Sequence, residues 1–178
     1  MRMSPGDLSR LLLPINPEDH VFGPESAEVT LVEYGDYECP ECGRLFGVIH
    51  RLQETSPDRL RIAFRHYPLS GIHPHAQQAA EAAEAAGAQG KFWQMHDLLF
   101  QHQDHLQRKD LVSYAEQLGL DVKLLQSDLK KDVYAERVRE DFRRGVQNGV
   151  YGTPGLFVNG VRHSGPYDAE SLFAAAAV

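Results

Sequence analysis

Residues 29–46 read VTLVEYGDYECPECGRLF. The first six of them, Val29 to Tyr34, are mostly β-branched or aromatic and predict a strand. Gly35 and Asp36 end it. The only two cysteines of the chain follow, Cys39 and Cys42, spaced C-x-x-C. From Cys39 to about Glu54 the pattern turns helical, with Leu45, Phe46, Ile49 and Leu52 on one apolar stripe. Pro40 suits the first helical position, where its missing N–H costs nothing. Cys39 is therefore predicted to be the helix N-cap. Free backbone N–H groups and the positive end of the helix dipole there favour a thiolate, the nucleophilic form of cysteine. Cys42 lies one turn on, on the same side, and is predicted to be the more buried, resolving thiol.

Working outward, the chain has 178 residues, enough for one domain or for a domain with a large insertion. Its hydrophobic content of 42% and charged content of 24% suit a globular protein with a core that needs no disulfide staples. The formal net charge is −7, from 25 acidic and 18 basic residues. That balance argues against sequence-independent nucleic-acid binding, which requires a basic surface. No window approaches the ~18 apolar residues of a spanning helix, and the N-terminal Leu11-Leu12-Leu13 run is too short for a secretory h-region. The expected location is the cytoplasm, with no membrane partner. In that reducing compartment a lone C-x-x-C is catalytic or metal-binding rather than a structural bridge.

The remaining elements follow from pattern and punctuation. Residues 1–27 read as an extended lead-in with a short helical turn at 6–12. Residues 60–67 form a second strand with Leu60, Ile62, Phe64 and His66 on one face, and Pro68 stops it. Helices are predicted over 75–87, with Gly87 as C-cap, and over 90–102. Asp110 is predicted to cap a helix ending at Gly119, and Asp121 a short one after it. A further helix spans 132–148. Leu156-Phe-Val, Asn159-Gly160 and Val161-Arg-His predict a hairpin with a type I′ turn. A last helix covers 168–177. Strand–helix–strand at the start predicts a parallel pair, and the hairpin adds antiparallel strands. The span between residues 67 and 156 is too long for a loop and reads as a helical insertion.

Three chemistries fit the cysteine pair: dithiol exchange, half of a metal site, or an accidental structural pair. Zinc requires two more ligands, and neither His73-x-His75 nor His102-x-x-His105 has the usual spacing. Taken together, the strand, DYECPEC (36–42), FRHYPL (64–69), GKFWQMHD (90–97) and VYGTPGLFVNG (150–160) resemble the DsbA-like thiol–disulfide oxidoreductases of the thioredoxin superfamily. The resemblance runs from about residue 20 to the end.

It implies an α/β, thioredoxin-like fold: a mixed central sheet flanked by helices, residues 28–70 and 132–178, with a helical insertion over 71–131. It implies a cis proline, here Pro154, beside the cysteines. The backbone of Thr153 would pair with a substrate peptide like an added strand, and Pro40 and Glu41 would line the same site. It also places a buried acid six residues before the first cysteine, here Glu33, raised in pKa and able to trade a proton with Cys42. The activity implied is disulfide exchange with protein or small-thiol substrates and a thiol electron donor or acceptor. No cofactor is required, and the chain is expected to be a monomer or weak dimer. The alternatives are a redox-sensing or chaperone-like binding protein on the same fold, or a metal-binding C-x-x-C protein. In one respect the motif departs from close relatives, since Glu41 adds charge beside Asp36 and Glu38. These carboxylates oppose the helix dipole, so the expectation is a couple more reducing than a strong oxidant.

Overall fold

A computed structural model of the chain describes residues 9–177. Five strands and seven α-helices alternate in the order β1 (His20–Phe22), β2 (Val29–Gly35), α1 (Pro40–Thr55), β3 (Leu60–His66), α2 (Ala76–Ala88), α3 (Phe92–Gln101), α4 (Arg108–Gln117), α5 (Val122–Lys130), α6 (Ala135–Gln147), β4 (Gly155–Val158), β5 (Val161–His163) and α7 (Ala169–Ala176). The strands form one sheet in the order β1-β3-β2-β4-β5. The β2–β3 pair is parallel, as a strand–helix–strand unit requires, and every other pair is antiparallel.

The central strand β2 is covered on both faces, so its alternation sorts residues between two cores. Leu31 faces α1 and α7, with Leu45, Ile49, Leu52, Leu156 and Leu172. Val32 and Tyr34 face the other way, toward Tyr67, Phe157 and Phe142 of α6. A third cluster gathers α2 to α5 around Tyr37, Cys39, Cys42 and Phe64. Helix α2 is its axis. Ala79, Ala80, Ala82, Ala83, Ala85 and Ala86 are all buried, so nearly the whole circumference of the helix lies inside. The helices α2 to α5 thus cap the end of the sheet where the cysteines sit.

Several boundaries differ from the sequence reading. His20–Phe22, placed in the lead-in, is an edge strand paired with β3, too short to show a period. Of the turn expected at 6–12, residues 6–8 lie outside the described residues. The rest is not helical, since Arg10 bridges Val161 and the Leu11 amide donates to Gly160. Asp110 sits at N3 of α4 in a capping box with Gln107, not at the N-cap. Helix α2 runs through Gly87, and Gly90 takes the left-handed conformation beyond it. Helix α6 begins only at Ala135. The Asn159-Gly160 turn has both residues at positive φ, 46° and 80°, as its type demands.

Candidate active site

The strand β2 delivers the chain to the start of α1 through a turn in which the Cys39 amide donates to the Asp36 carbonyl. Cys39 is extended (φ −76°, ψ 122°) and is the N-cap, with Pro40 at the first helical position. Its carbonyl accepts the first helical bond, from the Gly43 amide at 3.1 Å. Far along the chain, the loop before β4 returns to the same place because β4 pairs with β2, Gly155 opposite Tyr34. The Thr153–Pro154 peptide bond is cis. The Cys39 thiol donates to the Thr153 backbone carbonyl at 3.5 Å, and the buried Thr153 hydroxyl has no hydrogen-bond partner among the described residues.

The two cysteines are unbonded to each other and differ in access. Cys39 is 6% exposed and Cys42 is 0% exposed, so only one sulfur can meet an external disulfide. The Cys39 thiol is pulled down to about 5, chiefly by a hydrogen bond from the Cys42 thiol. Thr153 and the backbone amides of Cys42 and Glu41 add to this against the cost of burial. Burial pushes Cys42 well up, and the negative charges of Glu33 and Cys39 add to it. A stable thiolate thus lies above a protonated thiol.

Beneath them lies Glu33, 2% exposed on the α1 side of β2. Its Oε1 is buried without a hydrogen-bond partner among the described residues. Burial raises its carboxyl to about 8, and the ionised Cys39 contributes. The neighbouring Gly35 makes room for it, because a Cβ there would sit 2.4 Å from the Phe64 ring and 2.9 Å from Glu33 Oε1.

The other three carboxylates each have a partner within the protein. Asp36 is fully buried and accepts from the Glu38 and Leu69 amides and from His73 Nδ1, each at 2.8 Å. Glu38 accepts from the His75 amide at 2.7 Å and from His75 Nδ1 at 3.0 Å. Exposed Glu41 pairs with Arg44 at 2.5 Å. His73 and His75 each spend a ring nitrogen on a carboxylate. Among the described residues no group of three or more His, Cys, Asp and Glu could hold a metal ion.

Two neighbours carry no sequence signal. Gln103, from the α3–α4 loop, donates its Nε2 to the carbonyls of Tyr37 and Cys39, both at 2.8 Å. It lies against Gly43, where a Cβ would meet its Oε1 at 2.2 Å. The α3–α4 loop thereby grips the backbone of the cysteine turn. Tyr167 donates to the Pro154 carbonyl at 3.4 Å. Both contacts depend on loop placement, which no periodicity encodes.

The model of the family described as Thioredoxin matches residues 15–176. Among solved structures, BdbD from Bacillus subtilis (oxidised) superposes with a TM-score of 0.79 at 24% identity, over 90% of this chain and 91% of that one. A thioredoxin-like oxidoreductase from Silicibacter pomeroyi gives 0.78 at 27% identity, over 91% and 92%. Among curated proteins, the chain is 49% identical over 166 residues to a Na(+)/H(+) antiporter NhaA 1 of Salinispora arenicola. That match covers 93% of this chain but 25% of the antiporter, so the chain spans about a quarter of the length of the curated relatives it matches.

Proposed function

We infer the function from one premise: the chain belongs to the thioredoxin family and has the fold of the DsbA-like thiol–disulfide oxidoreductases. We propose that it is a dithiol–disulfide oxidoreductase acting on disulfides of proteins or small thiols. The observation that carries the reading is the asymmetry of the pair, an accessible thiolate on Cys39 above a buried thiol on Cys42. In this proposal Cys39 attacks a substrate disulfide and forms a mixed disulfide, releasing the first substrate thiol. Cys42 then attacks Cys39 Sγ, gives its proton to Glu33, and releases the second thiol. Pro40, Glu41, Thr153 and Pro154 surround Cys39, with the Thr153 backbone offering a strand-like edge to a substrate peptide. The electrons pass between the disulfides, so the reaction needs a thiol donor or acceptor and no other cofactor. Insulin reduction with dithiothreitol as donor tests this. The wild type is expected to accelerate it over a Cys39→Ser/Cys42→Ser double variant, and equal rates would leave only a binding role on this fold.

A second reading concerns the partner. In the curated relatives a segment alike over 93% of this chain is a quarter of an antiporter polypeptide. On that observation we propose that this chain also serves an antiporter, joined to it or beside it, at the cytoplasmic face. Among the described residues no helix is long and apolar enough to cross a membrane. An affinity tag on the chain in its native cell is expected to bring down an antiporter from solubilised membranes. Recovery without any antiporter, or in a fraction outside the cytoplasmic membrane, would refute it.

A further inference from the structure

Glu33 poses a problem that the exchange chemistry does not solve. If it takes the Cys42 proton, that proton has to leave, and Glu33 is sealed under the cysteines. One narrow cavity reaches it, between α1 and α3. The cavity is lined by Glu33, Gln53, His96 and Asp97 among apolar walls that include Phe46 and Trp93. It offers about 10 Å³ to the centre of a water molecule, the space of about one water. A water there meets the polar requirement, since Glu33 Oε1 lacks a partner at the inner end and Gln53 and Asp97 stand at the outer end. Gln53 and Asp97 are only partly buried, so the outer end adjoins solvent.

We propose that Asp97 is a proton-relay residue: through one water in this cavity it carries protons between solvent and Glu33 during the resolving step. This rests on the exchange reading above. In the mixed disulfide, Cys42 loses its proton to the Glu33 carboxylate and attacks Cys39 Sγ. The Cys39–Cys42 bond forms, the bond to the substrate sulfur breaks, and that sulfur leaves with the electron pair. Glu33 then passes the proton across the water to Asp97, and Asp97 passes it to bulk. The reverse sequence protonates Cys42 during reduction of the pair.

The titratable groups around the path have distinct parts. Burial raises the Asp97 carboxyl, and His50 on α1 pulls it the other way. A carboxyl shifted up from its ordinary range is a better match for a proton arriving from Glu33. Cys39 and Cys42 face Glu33 from above. His96 lines the path but does not carry the charge. Burial, with His66 and His20 behind it, holds it down to about 3, and its Nδ1 is engaged by the Tyr37 hydroxyl at 3.0 Å. That leaves Asp97 as the outer carboxyl.

The test isolates the resolving step. Wild type, Asp97→Ala and Asp97→Glu are reduced, mixed with glutathione disulfide and quenched over time, and the mixed and internal disulfides are separated by mass. Asp97→Ala is expected to slow decay of the mixed disulfide by about tenfold or more below pH 8. Iodoacetamide should still label Cys39 at the wild-type rate. Added formate should restore resolution in proportion to its concentration, as Asp97→Glu should without it. Alanine keeps helix α3 favourable, and the labelling rate reports an intact site. Resolution at the wild-type rate in Asp97→Ala, or a slow rate that neither formate nor Asp97→Glu restores, would overturn the relay. If the wild type forms no mixed disulfide at all, the exchange reading itself fails, and the relay with it.

Discussion

A Cys42→Ser protein challenged with glutathione disulfide is expected to accumulate one glutathione on Cys39, while a Cys39→Ser protein accumulates none. Access and ionisation act together to set this outcome. Cys39 is the more accessible of the two sulfurs, and its thiol is lowered to about 5, so at pH 7 it is almost wholly thiolate. Cys42 is fully buried and held protonated. A serine hydroxyl at 39 is not ionised at any workable pH. Loss of the first step should therefore reach at least about a thousandfold in Cys39→Ser. In Cys42→Ser the first step survives and the second is impossible, so the adduct persists. Intact-mass spectra over a time course read both outcomes. Adduct on Cys42 in the Cys39→Ser protein, at a rate near that of wild type, would reverse the assignment of roles.

The second large effect is on stability. Arg65 on β3 is fully buried, and its guanidinium makes a two-pronged bond to Asp19, with Nε–Oδ1 and Nη2–Oδ2 both at 2.8 Å. It also donates to the Leu13 and Pro14 carbonyls and to the Tyr34 hydroxyl. Both side chains of the pair are 0% exposed. Removing one partner of a buried pair strands the other charge, so Arg65→Ala should cost about 3–5 kcal/mol. For a chain of this size that is a fall in Tm of roughly 6–20 °C. Arg65→Lys should recover little, because an ammonium cannot reproduce the fork. Despite its burial, Arg65 and the Asn16 backbone hold the Asp19 carboxyl below its ordinary value of 3.8. A depressed carboxyl stabilises the fold above its unfolded pKa and loses that contribution as pH falls below it. The wild type should thus lose this stability as pH drops below about 4, and the Arg65→Ala protein should show less of that loss. Calorimetry across pH checks both. A change of under about 1 kcal/mol would mean that the N-terminal segment is not held by this pair.

The two cases also show what the sequence could and could not carry. The cysteine turn was legible because its signals are local: strand residues, Pro40 at the first helical position, and a helical stripe behind it. The hairpin was legible for the same reason, through Asn159-Gly160. The burial of Glu33 was expected from the resemblance, and it agrees with a central strand covered on both faces. The Arg65–Asp19 pair was not legible. Nothing local marks an arginine inside a β3 strand as an anchor for residues 13–19, and three residues at 20–22 are too few to announce an edge strand. The partners of Asp36 and Glu38 were not legible for a related reason. Charge counting along the chain sees three carboxylates beside a sulfur. The fold gives Asp36 and Glu38 partners in His73 and His75 that sequence distance conceals, while Glu41 pairs with Arg44 one helical turn on.

The central claim, that Cys39 is the thiolate nucleophile of the pair, is tested most directly by the pH dependence of its alkylation. The fully reduced protein is treated with iodoacetamide at fixed times from pH 4 to 9 and the labelled residue is located by peptide mass. Cys39 alone should be modified, with a rate that rises as pH passes about 5 and is level by pH 7. Glu41→Gln should leave that midpoint where it is, because Arg44 already occupies the carboxylate. A midpoint near the ordinary thiol value of about 8.5, or modification of Cys42 first, would contradict the account.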